Sequence, residues 1–266
     1  MSVPCGKCGA CKTNRRTQWA FRLKQELKVS KNAYFITLTY NDEEIPETQP
    51  DENGVIHQTL DKKHLTDFIK RLREIQYRDT GLRTIRYYAV GEYGTETDRP
   101  HYHIILFNIN RQYLNRLSTI WGFGHTHIGT VTEASIYYVA KYHVNRNPDE
   151  NDHRVKEFAT MSRKPGIGYN YVETNSQYHN DFTRNYVINN GFKISMPRYY
   201  KDKIFTDPVE RALQSEIAVH QLHLSENIEA RRLEKLGYKN GFLEIHRRAL
   251  YHSKNYISKS KLNQKF

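Results

Sequence analysis

The chain has 266 residues, enough for one sizeable core or for a core with appendages. Its 41 Lys and Arg against 29 Asp and Glu leave a formal charge of +12, which favours a polyanionic partner, nucleic acid first. No apolar run approaches the ~20 residues of a membrane-spanning helix, and three cysteines confined to the first eleven residues exclude a disulfide framework.

The polar, Cys-bearing N-terminus does not read as a secretory signal, so the expectation is a soluble protein of a reducing compartment that uses no membrane. Twenty tyrosines strengthen the nucleic-acid reading, because aromatic faces stack on unpaired bases while Lys and Arg follow phosphates. Many of them must still be ordinary sheet and core residues.

In chain order, Met1 to Lys12 is Gly- and Cys-rich and reads as irregular. Thr13 to Val29 carries Trp19, Leu23 and Leu27 at helical spacing. Ala33 to Tyr40 is aromatic and β-branched, a strand, and the Pro- and Asp-rich stretch from Asn41 to Thr59 is a long loop. From Leu60 to Tyr77 the stripe Leu65, Phe68, Ile69, Leu72 and Ile75 predicts a helix with Asp61 as its N-cap.

Thr84 to Glu92 and His101 to Asn108 read as two strands joined by a hairpin loop over Tyr93 to Pro100. Arg111 to Trp121 reads as a helix, His125 to Val131 as a strand and Glu133 to Asn145 as a further helix. Residues 33 to 131 therefore spell strand, helix, strand, strand, helix, strand, the α+β ferredoxin-like split βαβ pattern with helices on one face of an antiparallel sheet. Beyond Asn147 the chain reads as loop-rich to about Gly191, then as a helix from Asp207 to about Leu236 and a basic tail. The expected organisation is a Cys-bearing arm and helix over 1–30, a core over 31–146, a loop-rich extension over 147–206 and a helical basic region over 207–266. Helical additions thus flank the core at both ends.

Chemistry can reside in three places. Side chains two apart on a strand share a face, so His101 and His103 project together as two ligands of one metal would. A half-exposed polar face would give the same pattern. The hairpin brings Glu92 beside them, and two imidazoles with one carboxylate leave open positions on a divalent ion, although a Glu between two glycines is also a common turn residue. On the helix that follows, Tyr138 and Tyr142 stack four apart with Lys141 beside them. A phenol with a pKa near ~10 needs a metal, base or cation to become a nucleophile, and aromatic residues at this spacing are often core. Tyr137 points a quarter-turn away, toward packing.

Taken together, Phe35-Ile36-Thr37-Leu38-Thr39, Gly91-Glu92-Tyr93-Gly94, Arg99-Pro100-His101-Tyr102-His103 and Tyr138-Val139-Ala140-Lys141-Tyr142 resemble the HUH endonuclease superfamily. Within it they are most similar to the replication initiators of microviruses of the gokushovirus type. The segments Cys5-Gly6-Lys7-Cys8-Gly9-Ala10-Cys11 and Ser195-Met196-Pro197-Arg198-Tyr199-Tyr200 carry the likeness to about residue 203.

The resemblance implies the HUH nuclease fold and a Mg²⁺ or Mn²⁺ held by Glu92, His101 and His103. It implies that the Tyr138 phenol attacks a scissile phosphate in single-stranded origin DNA, leaving a 5′-phosphotyrosine and a free 3′-hydroxyl. Tyr142 would serve a second cut, Lys141 would steady the phosphate, and the strand would later be rejoined in rolling-circle replication. The setting it implies is the cytoplasm of a bacterial host, with host helicase and DNA polymerase as partners. The donor set alone does not select Mg²⁺, because two histidines and a carboxylate also suit Fe²⁺ or Zn²⁺.

Cys5, Cys8 and Cys11 are spaced for a structural Zn²⁺ but are one ligand short of the usual four; reduced thiols in a flexible arm are the alternative. His125 and His127 alternate on the next strand without an evident carboxylate and read as sheet residues. The tail carries Arg247, Arg248, Lys254, Lys259, Lys261 and Lys265 against Glu244, suited to phosphates or to solvent. No G-x-x-x-x-G-K-[ST] loop appears, which gives no support to an attached helicase. Rival readings are a plasmid relaxase or single-strand transposase of the same superfamily, a nucleic-acid-binding module without catalysis, and a zinc enzyme that activates water.

Overall fold

The structure, a computed structural model, describes residues 5–6, 8–94, 96–141, 152–180 and 184–262. The chain divides into two compact units, Arg22–Gly168 and Met1–Phe21 with Tyr169–Phe266. Helix α1 (Gly9–Val29) contributes its first part to one and its last part to the other.

The unit Arg22–Gly168 is built on β1 (Ala33–Thr39), α2 (Lys62–Thr80), β2 (Arg86–Tyr93), β3 (Pro100–Phe107), α3 (Leu117–Trp121), β4 (Thr126–Thr130), α4 (Glu133–Lys141) and β5 (Phe158–Met161). The sheet order is β4-β1-β3-β2-β5, with every pairing antiparallel. The first four strands and their helices realise the split βαβ pattern, and β5 adds an edge.

Alternation divides the sheet into two faces. Ile36, Leu38, Ala89, Tyr102, Ile104 and Leu106 face a core that α2 closes with Leu65, Phe68, Ile69 and Leu72, and α3 with Leu117, Ile120 and Trp121. Asp61 caps α2, its carboxylate accepting from the amides of Lys63 (2.6 Å) and His64 (3.2 Å). Gly81 ends α2 in the left-handed conformation (φ 69), its N–H on the Tyr77 carbonyl. The one-sided packing expected of the pattern describes α2 and α3. The opposite face, which carries Thr37, Val90, Glu92, His101 and His103, receives α4 and the end of α1, whose Glu26 pairs with Arg86 of β2.

Several expected elements shift. The segment Arg111 to Trp121 is a 3-10 turn (Arg111–Arg116) followed by the short α3, and α1 begins at Gly9, inside the stretch expected to be irregular. Helix α4 is described as far as Lys141, so the remainder of its expected span to Asn145 lies outside the described residues. The stretch expected to be loop-rich contains β5, α5 (Asn170–His179) and a hairpin of β6 (Tyr186–Asn189) and β7 (Phe192–Ser195). Four-residue strands are too short to show a period, and α5 buries only Tyr171, Val172 and His179 of a polar sequence. The hairpin does have a local signal: Asn190-Gly191, both at positive φ (50 and 80), is the two-residue turn that matches strand twist.

The second unit gathers Phe21, Tyr171, Val172, Val187, Met196, Tyr200 and Phe205 into its own core, with the Tyr171 and Tyr200 rings stacked at 5.0 Å. Its remaining helices are α6 (Arg198–Ile204), α7 (Pro208–Lys235) and α8 (Gly241–Leu262). Asp207 caps α7 through the amides of Val209 and Glu210, and Pro208 fills the first helical position, where its missing N–H costs nothing. Gly241 opens α8 against the Ala230 backbone, with no room for a Cβ. Among the described residues, no helix is long and apolar enough to cross a membrane.

Candidate metal and phenol site

The β2–β3 hairpin sets the site. Register pairs Glu92 with His101 and Val90 with His103, while β1 places Thr39 opposite His101 and Thr37 opposite His103. The glutamate and both histidines therefore share one face of the two central strands.

The carboxylate of Glu92 is the hub, 1 % exposed. Its Oε1 lies 2.9 Å from His101 Nε2 and 2.8 Å from His103 Nε2, and it accepts the Tyr138 hydroxyl at 2.5 Å. Each imidazole is held from behind as well. His101 Nδ1 lies 3.0 Å from the Arg99 carbonyl, and His103 Nδ1 lies 3.0 Å from Thr37 Oγ1. Phe35 stacks on the His103 ring at 5.2 Å, and the Tyr138 ring meets it edge-on at 5.1 Å.

These contacts fix protonation. A carbonyl only accepts, so Nδ1 of His101 carries a hydrogen, and Nε2 must carry another to satisfy the carboxylate. Burial, the largest influence on His101, pulls its pKa down. The hydrogen bonds to Glu92 and the Arg99 carbonyl, with the charges of Glu92 and Glu157, overcome that pull and raise it above 6.5.

The same geometry suits a divalent cation. Replace the Nε2 protons by an ion, and Nδ1–H still points at a backbone carbonyl or a hydroxyl while the Nε2 lone pair faces the ion, the usual arrangement around ligating histidines. The three ligand atoms lie within 4.8 Å of one another. An octahedral ion ~2.1 Å from each ligand places neighbouring ligands ~3 Å apart, close to the 2.8 and 2.9 Å contacts here. The residues fit the ion.

Helix α4 brings the phenol. Ile136, Val139 and Ala140 are buried, which turns Tyr138 toward Glu92. Lys141 places its ammonium 4.1 Å from the Tyr138 ring centroid. Tyr137 points elsewhere, its ring 5.3 Å from Lys24 Nζ, and Lys24 also pairs with Glu133.

Five of the six residues singled out from sequence, Glu92, His101, His103, Tyr138 and Lys141, thus come together; Tyr142 lies outside the described residues. His125 and His127 stand exposed beside or on edge strand β4, with His127 opposite Thr37, and are not in the group. Thr37, Arg99 and Phe35 were not expected to serve the site. Thr37 could have been found, because it sits in a central strand at the parity that faces a histidine. The other group able to hold an ion among the described residues is Cys5, Cys8 and Cys11, in the other unit. There burial first, then Cys8 and Cys5, raise the Cys11 thiol pKa above its ordinary value.

The family model described as replication-associated protein ORF2 matches residues 33–147, the span from β1 to just past α4. The replication-associated protein VP4 of Bdellovibrio phage phiMH2K is 32 % identical over 226 residues, covering 76 % of this chain and 67 % of that protein. The replication-associated protein ORF2 of Spiroplasma virus 4 is 30 % identical over 235 residues, 81 % of this chain and 70 % of that protein. The replication-associated protein ORF4 of Chlamydia phage 1 is 26 % identical over 227 residues, 75 % of this chain and 53 % of that protein. No solved structure gives a significant match. With the site and these relatives in agreement, the chain belongs to the replication-associated protein ORF2 family, among initiators of the microvirus type.

Proposed function

We propose that the protein starts rolling-circle replication by nicking single-stranded DNA at the replicon's origin with the phenol of Tyr138. The observation that carries the proposal is the convergence of a phenol, a buried carboxylate and two imidazoles within hydrogen-bonding distance. A site that activates water has no need of the tyrosine. A module that only binds nucleic acid needs neither the tyrosine nor the buried glutamate.

Glu92, His101 and His103 would hold one Mg²⁺ or Mn²⁺, whose bound charge offsets the negative charge of a phosphate brought to the site. The choice between these ions and Fe²⁺ or Zn²⁺ follows from phosphate chemistry and from the family, since the ligands admit all four. The protein's own groups do the rest. The Tyr138 hydroxyl, aligned on Glu92, attacks phosphorus; the phosphorus–O3′ bond breaks, and the phenolic proton passes through Glu92 or solvent to the departing 3′ oxygen. A 5′-phosphotyrosine and a free 3′-hydroxyl result, so the bond energy is conserved and the strand can be rejoined by the reverse step. Lys141, above the ring, favours the phenolate and steadies the phosphate. Tyr142, four residues on, would make the second cut.

Three relatives are replication-associated proteins of phages or a bacterial virus, which supports origin DNA as substrate and the host cell's cytoplasm as the setting. A host helicase and DNA polymerase would then work from the freed 3′ end. The test is a circular single strand carrying the replicon's origin, incubated with Mn²⁺ or Mg²⁺ and resolved under denaturing conditions. A covalent protein–DNA adduct that is lost with EDTA, with His103→Ala and with Tyr138→Phe is the expected result. Cleavage without an adduct would mean activated water, and tight binding with neither product would leave a binding module.

A further inference from the structure

Three sulfurs converge at the start of α1. The Sγ atoms of Cys5, Cys8 and Cys11 all lie within 4.8 Å of one another. The backbone produces this. Gly6, at φ 71, turns the chain back, the Cys8 amide donates to Cys5 Sγ at 3.2 Å, and Lys12 N–H closes the first helical turn on the Cys8 carbonyl at 2.9 Å. Cys11 therefore rises from the first turn toward the sulfur of Cys5, 3.9 Å away.

That distance is informative. It is nearly twice the ~2.05 Å of a disulfide. Two thiolates on a tetrahedral zinc, each with a Zn–S bond of ~2.3 Å, stand ~3.8 Å apart. The surroundings suit anionic sulfur: the amide dipoles at the start of a 21-residue helix, the Cys8 N–H, and Arg15, whose Nη2 lies 3.5 Å from where a Cβ on Gly6 would sit.

We propose that Cys5, Cys8 and Cys11 bind one Zn²⁺ as thiolates, with water in the fourth position, and that the ion staples the N-terminal loop to the first turn of α1. Soft sulfur ligands select zinc over Mg²⁺ or Mn²⁺, so this site and the Glu92 group take different ions. The inference stands independently of the nicking reaction.

Co²⁺ titration of the full reduced chain provides the test, because thiolate-to-cobalt charge-transfer absorption reports sulfur ligation and the Glu92 group is silent in it. The expected result is a band that saturates at one equivalent, is displaced by Zn²⁺, and is absent from Cys8→Ser and Cys11→Ser. Should the serine variants not fold, the unaltered chain still decides: bound Zn²⁺ should slow iodoacetamide alkylation of the three thiols by about tenfold or more. A folded, fully reduced chain with neither band nor protection overturns the proposal. So does purified protein carrying a disulfide, shown by a mass lower by two hydrogens, or carrying iron in place of zinc.

Discussion

Replacing Thr37 by Val isolates what holds a proposed metal ligand in place without removing the ligand. Thr37 Oγ1 sits 3.0 Å from His103 Nδ1, and His103 Nε2 faces Glu92. When Nε2 coordinates an ion, Nδ1 carries the hydrogen, and the threonine oxygen must accept it. Valine keeps the branched shape suited to a strand but cannot accept. The lost hydrogen bond is worth ~0.5–1.5 kcal/mol, and a half-buried Nδ1–H left unsatisfied costs more, toward ~1–3 kcal/mol. Since ~1.4 kcal/mol is a factor of ten, Mn²⁺ affinity should fall about tenfold, within the ~10–100-fold range for partners of ligating histidines. Calorimetric titration of Mn²⁺ measures the change, with circular dichroism as a control for folding. Thr37→Ser restores the acceptor and should recover most of the affinity. A Thr37→Val dissociation constant within about twofold of the unaltered protein, or a Ser variant as weak as Val, would refute the reasoning.

Three further outcomes follow from the same contacts. The raised pKa of His101 makes the metal-free pair with Glu92 stabilising below the unfolded histidine pKa, and this contribution is lost as pH rises through the higher folded value. Ion binding runs the other way, because Nε2 must shed its proton: Mn²⁺ affinity should weaken as pH falls through the folded pKa, as a titration series across that range will read. Lys141→Met keeps the helix and the packing over Tyr138 but removes the charge; adduct formation should slow by about tenfold or more while Mn²⁺ affinity stays unchanged, measured by single-turnover gel and calorimetry. Asp61→Ala removes the cap of α2 and should lower unfolding stability in urea by ~1 kcal/mol.

How much of this was legible beforehand depends on how local each cause is. The four central strands and α2 announce themselves through alternation, an apolar stripe and an Asp cap, each readable within a dozen residues. What escaped is held by distant partners. β5 exists because Phe158–Met161 meets the free side of β2, a pairing across some seventy residues that no pattern in four residues can specify. The second core joins Phe21 to Tyr171, Val187, Met196, Tyr200 and Phe205, residues whose burial is a property of the assembled unit. The motif Ser195-Met196-Pro197-Arg198-Tyr199-Tyr200 owes part of its composition to that packing, since Met196 and Tyr200 are both buried there.

The candidate site was more legible than the fold around it, and the reason is the arithmetic of strands. Alternate positions share a face and a short hairpin fixes register, so Glu92, His101 and His103 converge once β2 and β3 pair at all. Bringing in Tyr138 takes one more condition, that α4 turn Ile136, Val139 and Ala140 inward, and helical spacing already implies that. Thr37 and the Arg99 carbonyl required the cross-strand neighbour and the backbone conformation, neither of which residue identity encodes. Yet these supports determine whether two imidazoles behave as protonated partners of a carboxylate or as ligands of an ion. In the first state His101 needs a proton on both nitrogens; in the second an ion replaces one of them and the hydrogen bond to Arg99 is unchanged. A hairpin that tolerates both states without moving its backbone is preorganised for the ion, and so the chemistry of the site depends as much on a threonine and a carbonyl as on the ligands they hold.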